Sequence, residues 1–427
     1  MTASPSASVP AERETTAATN SHTMAALLAG VLFLGGLAAV YLLGQWVAAR
    51  YIYGLAEAQN GQKYADLFVQ REALRHRDLL PFYGTSEILK GAADNSYHAK
   101  ALFADAPTGF SLFALGKPGG LVFTAMQSLG ALGADLKGKK LVVSLSPPMF
   151  ENVSGHFLDV RYAVNFSALQ ALTLLLSHDL SPELKSDVAK RFLAHPSMLE
   201  RHRTIDLVLN LYVNASPFYI GVAPLAHVQR LLLEVVERAR LIPRIVTTPE
   251  WRKTAKPHDS RRLNWAALLA DATHEYRPQA SDNPFGVSDS WWSANKWRVV
   301  ESRDESRNDQ FFRESDEQFL HNLDRAEAWL DLEQVLRILQ ELHARPMILS
   351  MPLHGSWWDY ARVSPAARRQ YYVRVRELGA RYGARTVVLD DLETDQFFFV
   401  DLGSHPSPTG WVHYDRAIDA FYHDALN

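Results

Sequence analysis

Two short phrases near opposite ends of the chain contain the residue types of a serine-based acyl-transfer site. Ser86 lies in the phrase Tyr-Gly-Thr-Ser-Glu at residues 83–87, and Asp401 and His405 lie in the phrase Asp-Leu-Gly-Ser-His near the C-terminus. A serine hydroxyl becomes an effective nucleophile when a histidine accepts its proton and a third group orients that histidine. The three residues therefore predict a nucleophile, a base and an orienting acid, provided that the fold brings them together.

The residues around Ser86 predict a tight turn at the end of a strand. An apolar run at 79–83 leads into Gly84, which permits a sharp turn and close approach of a substrate. A helix expected from about Glu87 would aim backbone N–H groups at a developing oxyanion. The phrase does not match the Gly-x-Ser-x-Gly turn of α/β-hydrolases. Taken alone, a serine in this position is more often a helix N-cap.

The C-terminal phrase leaves the orienting acid open. Asp401 follows the apolar residues 397–400, which predicts a partly buried carboxylate whose desolvation must be offset by hydrogen bonds. Three residues separate Asp401 from His405, so the loop must bulge for the two side chains to meet. Taken alone, this phrase has a simpler interpretation, in which Asp401 caps a turn and His405 is an ordinary loop residue. The alternative orienting acids nearby are Asp390, Asp391 and Asp395.

Short apolar runs alternate with helical patterns, which predicts an α/β fold with a mostly parallel sheet flanked by helices. One helix is expected at 330–342, and another at 365–382 begins after Ser364 and ends at Gly383. The expected strands are residues 79–83, 139–145, 346–351 and 385–390.

The middle of the chain, about residues 155–325, is expected to form a mixed helical insertion. The stretches 207–213 and 219–225 are short and apolar, and they fit either a strand or a buried helix. Residues 244–315 show no clear period, as is typical of a lid, a cleft wall or a partner surface. The helices expected in the insertion are residues 166–176, 188–193 and 228–241.

An uncharged, apolar segment near the N-terminus predicts a membrane anchor. Residues 24–49 are long enough to cross a hydrocarbon core of roughly 30 Å, and longer than the apolar part of a cleaved signal peptide. Residues 1–22 are rich in Ala, Ser and Thr and predict a disordered tail. The charges that flank the segment weakly favour a cytoplasmic C-terminus. Residues 60–427 are expected to form the catalytic domain.

Composition excludes several classes of function. The net charge of −3 over 427 residues gives no basic surface for nucleic acid, and the absence of cysteine excludes disulfides and thiolate sites. The histidine spacings match no metal-binding motif, so no metal and no cofactor are expected. The tryptophan pairs at 291–292 and 357–358 fit sugar stacking or a partner surface, although core packing is the more common role.

Together the phrases resemble the DltD family of D-alanyl transfer proteins, which are similar to SGNH-type esterases. The phrase at 83–87 and the late Asp and His before Gly410-Trp411 carry the resemblance. The segments 137–150, with its Ser-Pro-Pro-Met-Phe ending, and 346–360 agree with it, and Asn283-Pro-Phe-Gly286 fits the same pattern. This chain departs from the family at Thr85, where Ser is usual, in the Asp-to-His spacing, and at His354, where Asn is common.

The resemblance implies an SGNH-like catalytic domain outside the cytoplasm, which overrides the weak charge bias. Ser86 would then be the nucleophile, His405 the base and Asp401 its orienting acid. The oxyanion and substrate-binding candidates are Gly84, Gly119 and His354. The implied partners are a membrane-bound O-acyltransferase, indirectly an acyl carrier protein, and a cell-envelope polymer as acceptor. An esterase acting on a surface glycan and a non-catalytic accessory subunit remain alternatives.

Overall fold

The structure is a computed structural model that describes residues 13–58, 61–89, 95–104, 107–150, 156–254, 261–301 and 315–425. Five parallel strands form one sheet in the order β2-β1-β3-β4-β5. The strands are β1 (Leu79–Tyr83), β2 (Ser111–Leu115), β3 (Lys140–Leu145), β4 (Arg345–Ser350) and β5 (Arg385–Val388). The prediction of an α/β fold with a mostly parallel sheet is therefore confirmed.

Helices flank the sheet and form most of the remaining structure in the described residues. They are α1 (Arg13–Arg50), α2 (Ile52–Glu57), α3 (Leu67–Arg75), α4 (Ala99–Leu102), α5 (Val122–Leu132), α6 (His156–Asn165), α7 (Ala168–Leu175), α8 (Pro182–Leu193), α9 (Arg203–Val213), α10 (Tyr219–Thr247), α11 (Trp265–Glu275), α12 (Asp289–Glu301), α13 (Asp316–Arg325), α14 (Ala328–Glu341), α15 (Gly355–Tyr360), α16 (Pro365–Arg381) and α17 (Pro408–Tyr422).

The strand order places the switch point of the sheet beside β1. The chain passes from β1 to β2 on one side and then returns to β3 on the other side of β1. Open parallel sheets bind ligands at the carboxyl ends of the strands at such a point. Ser86 follows the carboxyl end of β1, so the topology places it where a ligand is expected.

Both faces of the sheet are covered, and the strand residues divide between two cores. Leu79 and Tyr83 of β1 face the larger core, whereas Leu80 and Phe82 face the smaller one. This alternation follows the period of two along a strand. Helix α14 contributes to the larger core and α17 to the smaller one. Burial of both faces explains why the strands consist of continuous apolar runs.

The late helices agree with the sequence-based expectations. Helix α16 begins after Ser364, whose hydroxyl accepts a hydrogen bond from the Ala367 N–H at 3.2 Å. Just beyond its end, Gly383 has a φ of +66°, the left-handed conformation that favours glycine after a helix. Helix α14 covers the predicted helix at 330–342.

The segment between β3 and β4 is helical from α6 to α14 in the described residues. The two ambiguous stretches, 207–213 and 219–225, are both helical and lie in α9 and α10. Helix α10 is much longer than the predicted helix at 228–241 because it continues through Pro224 and Pro243. Strand β2 was not predicted, since its short apolar run has no period that separates a strand from a buried helix.

Helix α1 covers the predicted membrane anchor and extends beyond it toward the N-terminus. Residues 22–50 of α1 are long and apolar enough to cross a membrane, and α10 passes the same test of length and composition. Helix α1 begins at Arg13, so residues 13–22 of the predicted tail are helical in the structure. Extension of an existing helix costs little once the apolar segment has formed it. Residues 1–12 lie outside the described residues.

A buried ionic network joins α6, α8 and α14. The Arg191 guanidinium donates to Asp331 at 2.7 Å and lies 2.6 Å from Glu327. The Tyr162 hydroxyl donates to the second oxygen of Asp331 at 2.6 Å. Asp331 is 1% exposed, so its charge depends on these two partners. Helix α6 of this network ends at Asn165, whose side chain hydrogen-bonds to the carbonyl of Gly119 near the candidate site described below.

Replacement of Asp331 by Ala is expected to lower the free energy of unfolding by about 3 kcal/mol, because it leaves Arg191 buried with one carboxylate fewer. Urea denaturation of the full-length protein in detergent measures this change. Asp324→Ala is the matched control, since Asp324 pairs with Arg374 at the surface and its loss should change stability by less than about 1 kcal/mol. Equal effects of the two substitutions would contradict a structural role for the network.

Candidate active site

The Ser86 turn is built directly on the end of β1. The Gly84 N–H donates to the Leu115 carbonyl at 3.0 Å and continues the pairing with β2. The Tyr64 hydroxyl donates to the Gly84 carbonyl at 3.2 Å. Gly84 therefore shapes the turn, and its N–H is already bonded within the sheet.

The helix expected after Ser86 is a single 3₁₀ turn over Ser86–Ile88. The Leu89 N–H donates to the Ser86 carbonyl at 3.1 Å and closes this turn. Residues 90–94 lie outside the described residues. Because a helix dipole grows with the number of aligned peptide groups, one turn contributes little of the oxyanion stabilisation that a full helix was expected to supply.

Glu87 holds the turn in place and was not singled out from the sequence. One oxygen of its carboxylate accepts a hydrogen bond from the Thr85 N–H at 2.9 Å, and the other accepts from the Thr85 hydroxyl. Glu87 is 1% exposed. A buried carboxylate is costly unless it is hydrogen-bonded, and here both oxygens are. A lone acid directly after the serine, in an otherwise apolar segment, was the signal available.

His98 supports the same turn from the other side. Its Nδ1 accepts from the Lys100 N–H at 3.1 Å, so Nε2 carries the proton and donates to the Glu87 carbonyl at 3.2 Å. Burial lowers the pKa of His98 to about 3, which keeps the ring neutral at physiological pH. Its ring packs against Trp411 of α17 with centroids 4.0 Å apart.

The structure brings Ser86, His405 and Asp401 together. His405 Nε2 lies 3.0 Å from Ser86 Oγ, and His405 Nδ1 hydrogen-bonds with an oxygen of Asp401. With Nδ1 donating to the carboxylate, Nε2 is the ring nitrogen that can accept the Ser86 proton. Ser86 is half-buried and Asp401 is 6% exposed. Asp401 therefore occupies the position predicted for the orienting acid.

The loop from Asp401 to His405 accommodates the unusual spacing by folding around the carboxylate. One oxygen of Asp401 accepts from the N–H groups of Ser404 at 3.0 Å and His405 at 3.2 Å. Gly403 has a φ of +128°, which favours glycine and lets the chain turn back. The His405 carbonyl accepts from the Val400 N–H at 2.9 Å and closes the loop at its base. These bonds supply the compensation that a buried carboxylate requires.

Ser404 is a second hydroxyl beside the histidine that was not anticipated. Its Oγ lies 3.0 Å from His405 Nδ1 and 3.3 Å from the nearer oxygen of Asp401. A hydroxyl here donates to the carboxylate, and it lies on the opposite side of the imidazole from Ser86. Ser404 thus helps to orient His405 and is a useful comparison for Ser86.

The glycine-rich loop after β2 lies against the serine turn. A side chain at Gly116 would collide with the Thr85 carbonyl, and one at Gly120 would press on the Thr85 side chain. Between them, Gly119 has a φ of +67°, and its carbonyl accepts from Asn165 at 3.0 Å. The predicted oxyanion candidate Gly119 therefore belongs to a loop in contact with the Ser86 turn.

His354 lies behind the Asp401–His405 loop rather than in the open part of the site. It is 3% exposed and stacks on Phe399 with centroids 5.4 Å apart. Nδ1 is 3.2 Å from the Ser356 hydroxyl, and Nε2 is buried without a well-formed hydrogen bond in the described residues. Burial lowers the pKa of His354 to about 4, although the backbone groups of His354 and Phe285 oppose this shift.

Residues 276–292 brace the segment that leads into Asp401. The Tyr276 hydroxyl donates to the Phe399 carbonyl at 3.0 Å, and the Ser288 N–H donates to the Val400 carbonyl at 3.1 Å. The phrase Asn-Pro-Phe-Gly at 283–286 contributes Phe285, which packs edge-on against Trp292 and Trp357. Both tryptophan pairs thus contribute to packing, and Trp292 is buried.

The buried His354 is expected to make stability depend on pH. Between its unfolded pKa of 6.5 and its folded pKa of about 4, the unfolded chain binds a proton that the native ring does not. Stability is therefore lost as the pH falls through this window, by roughly 3 kcal/mol at about 1.4 kcal/mol per pKa unit. His354→Asn should remove this part of the acid destabilisation when urea unfolding is compared at pH 7 and pH 4.

The exposed His178 supplies the control, and His178→Asn should leave the pH dependence as it is in the parent protein. An unchanged slope in His354→Asn would mean that the native ring takes up its proton over the same pH range as the unfolded chain, which would contradict the lowered pKa.

Comparison with known proteins identifies the family. Residues 56–423 match the family model described as DltD protein. The chain is 25% identical over 399 residues to Protein DltD of Bacillus subtilis (strain 168), covering 93% of this chain and 96% of the relative. It is 22% identical over 351 residues to Protein DltD of Staphylococcus aureus (strain NCTC 8325 / PS 47), covering 82% of each. This family is involved in D-alanylation, a modification of cell-envelope polymers. Since the match extends over most of its length, the chain belongs to the DltD family.

Proposed function

We propose that this protein transfers an acyl group, D-alanyl, to hydroxyls of a cell-envelope polymer through a covalent intermediate on Ser86. The contact that carries the proposal is the 3.0 Å approach of His405 Nε2 to Ser86 Oγ, with Nδ1 of the same ring hydrogen-bonded to Asp401. Family membership and this geometry support the proposal, in which Ser86 is the nucleophile, His405 the base and Asp401 the orienting acid.

In the first step His405 Nε2 takes the Ser86 proton while Oγ attacks the carbonyl carbon of the acyl donor. The Oγ–carbon bond forms, the bond to the leaving group breaks, and the leaving group takes the proton from His405. In the second step a polymer hydroxyl gives its proton to His405 and attacks the ester. The acyl group moves to the polymer oxygen, and Ser86 regains its proton.

The tetrahedral intermediates of both steps carry an oxyanion that backbone donors must stabilise. The candidates are the N–H groups of Ser86 and Gly119, since the glycine-rich loop packs on the Ser86 turn. Gly84 is a weaker candidate because its N–H donates to Leu115. His354 is also a weaker candidate for an oxyanion donor, because its Nε2 is buried.

The setting that we infer is the outer side of the membrane, with α1 as the anchor. The partners that we propose are a membrane-bound O-acyltransferase as the source of acyl groups and, indirectly, an acyl carrier protein that supplies it. The acceptor is a polymer hydroxyl held near Ser86 in place of water. Hydrolysis would use the same three side chains, so an esterase is the second candidate on the same observation.

Ser86 is expected to react with a fluorophosphonate probe, because an activated Oγ displaces fluoride from phosphorus. Labelling of the full-length protein, read by mass spectrometry of the modified peptide, should occur at Ser86 and be lost in Ser86→Ala and His405→Ala. Ser281→Ala, at an exposed serine, is the matched control and should retain full labelling, whereas Ser404→Ala removes a hydroxyl beside His405 and should slow labelling at Ser86 without abolishing it.

Labelling at another residue, or its persistence in Ser86→Ala, would overturn the assignment of the nucleophile. A folded protein that stays unlabelled even with the partner acyltransferase would instead support an accessory, non-catalytic subunit. Once Ser86 is labelled, a product that forms only when a polyol acceptor is present separates transfer from hydrolysis.

Glu87→Ala is expected to slow the labelling of Ser86 by about 100-fold, because a displacement of the nucleophile by roughly 1 Å has an effect of this order. The substitution removes both hydrogen bonds to Thr85, and circular dichroism of the variant checks that the fold is retained. The rate of probe incorporation measures the effect. Glu250→Ala, at an exposed glutamate, should leave the rate unchanged, and equal rates for the two variants would show that Glu87 does not position the turn.

A further inference from the structure

Helices α9 and α10 form a hairpin whose end is apolar and exposed. From Leu207 to Gln229 the sequence contains no Asp, Glu, Lys or Arg. Phe218 is 75% exposed and Ile220 79% exposed. The same surface continues along α10 with exposed Leu225, Val228, Leu231 and Leu232. Contiguous apolar patches of this kind mark a binding surface for a protein, a ligand or a membrane.

The position of α10 beside α1 indicates what covers this surface. A Cβ on Gly44 would lie 2.5 Å from Cβ of Arg238, and the Arg238 guanidinium lies 3.9 Å from the Tyr41 ring. Just beyond the C-terminal ends of α1 and α10, Gly54 of α2 contacts the backbone of Trp251. Because the contact beyond the end of α1 is made with residues beyond the end of α10, the two helices run in the same direction.

The parallel arrangement sets the direction in which the hairpin points. Ile220 lies 18 residues before Arg238, and at a rise of about 1.5 Å per residue the two are roughly 27 Å apart along α10. From Arg238 toward Ile220, α10 runs in the same direction as α1 does from Gly44 toward Met24. That part of α1 is the exposed apolar segment of the membrane anchor. The hairpin end therefore points toward the same side of the domain as the anchor's apolar residues.

Within α10 itself, charged side chains are confined to the part nearest the domain. Charged residues of α10 begin at Arg230, which pairs with Glu234, and Arg244 at the domain end pairs with Asp66 at 2.9 Å. The uncharged residues from Phe218 to Gln229 extend for roughly 17 Å, about half the thickness of a hydrocarbon core.

The turn between the two helices satisfies its backbone internally. The Ser216 N–H donates to the Leu211 carbonyl at 2.9 Å, and the Tyr219 N–H donates to the Ser216 carbonyl at 3.0 Å. The Asn214 side chain donates to the Asn210 carbonyl at 2.9 Å. Such internal pairing is required where no water is present.

We propose that the α9–α10 hairpin inserts among the acyl chains of the membrane that holds α1, entering one leaflet without crossing it. The occupant of the apolar surface is lipid hydrocarbon. Two points of attachment, α1 and the hairpin, then fix the tilt and height of the domain over the membrane, whereas a single helix would leave both free. This inference does not depend on the chemistry proposed for Ser86.

Single-cysteine labelling tests the insertion directly, because the chain contains no cysteine of its own. Full-length Ile220→Cys carries an environment-sensitive nitrobenzoxadiazole group and is reconstituted into phosphatidylglycerol–phosphatidylethanolamine vesicles. The expected result is a blue-shifted emission that acyl-chain doxyl lipids quench. Ile220 is so exposed that its replacement removes little packing. Leu32→Cys in α1 is the positive control, and Leu330→Cys, 55% exposed on α14, should emit as in water without quenching.

Quenching at Leu32→Cys without quenching at Ile220→Cys would overturn the insertion and leave the anchor intact. Shielding of Ile220→Cys that appears only when an integral membrane protein is added would assign the surface to a protein partner and would also overturn it. Absence of quenching at Leu32→Cys would show that α1 does not enter the membrane, and it would overturn both the anchor and the insertion of the hairpin.

Discussion

The candidate site depends on one hydrogen bond, between His405 and Ser86, which lie 319 positions apart in the chain. The fold must bring these two residues together. Ser86 follows β1 and His405 follows β5, and β3 and β4 lie between these strands in the sheet. Because all strands are parallel, both chain segments leave the sheet at the same edge. The segment after β5 must still cross two strand ends to reach Ser86. The bonds from Tyr276 and Ser288 to residues 399 and 400 hold it over that edge.

The second requirement is that the polar groups of the site are buried without being left unpaired. Glu87 and Asp401 are both nearly inaccessible, and each accepts hydrogen bonds from the backbone of its own turn. The carboxylates therefore stabilise the local backbone: Glu87 fixes the turn before Ser86, and Asp401 fixes the loop that contains His405. Donors and acceptors placed in this way need no rearrangement when charge develops during a reaction, which is the main advantage of an enzyme site over water.

Local sequence patterns predicted the elements whose signals are local. Ser364 and Gly383 mark the ends of α16, and apolar runs mark four of the five strands. Ser86, Asp401 and His405 were predicted from residue type together with family resemblance, and the structure brings them together. Strand β2 and the length of α10 were missed because short apolar runs have no distinguishing period, and tertiary contacts override two prolines. The role of Glu87 depends on a two-residue backbone geometry that no periodicity reveals.

The helical insertion between β3 and β4 connects α10 to the candidate site through a series of contacts. Helix α10 packs against α7, and Gln170 of α7 donates to the Tyr64 carbonyl. Tyr64 in turn donates to the carbonyl of Gly84, two residues before Ser86, and Asn165 of α6 holds Gly119. If α10 is seated in the bilayer, the Ser86 turn has a fixed position relative to the lipid. If Ser86 is the nucleophile proposed above, an acyl donor that arrives from the membrane loses less orientational freedom on reaching it than on reaching a domain held by a flexible tether.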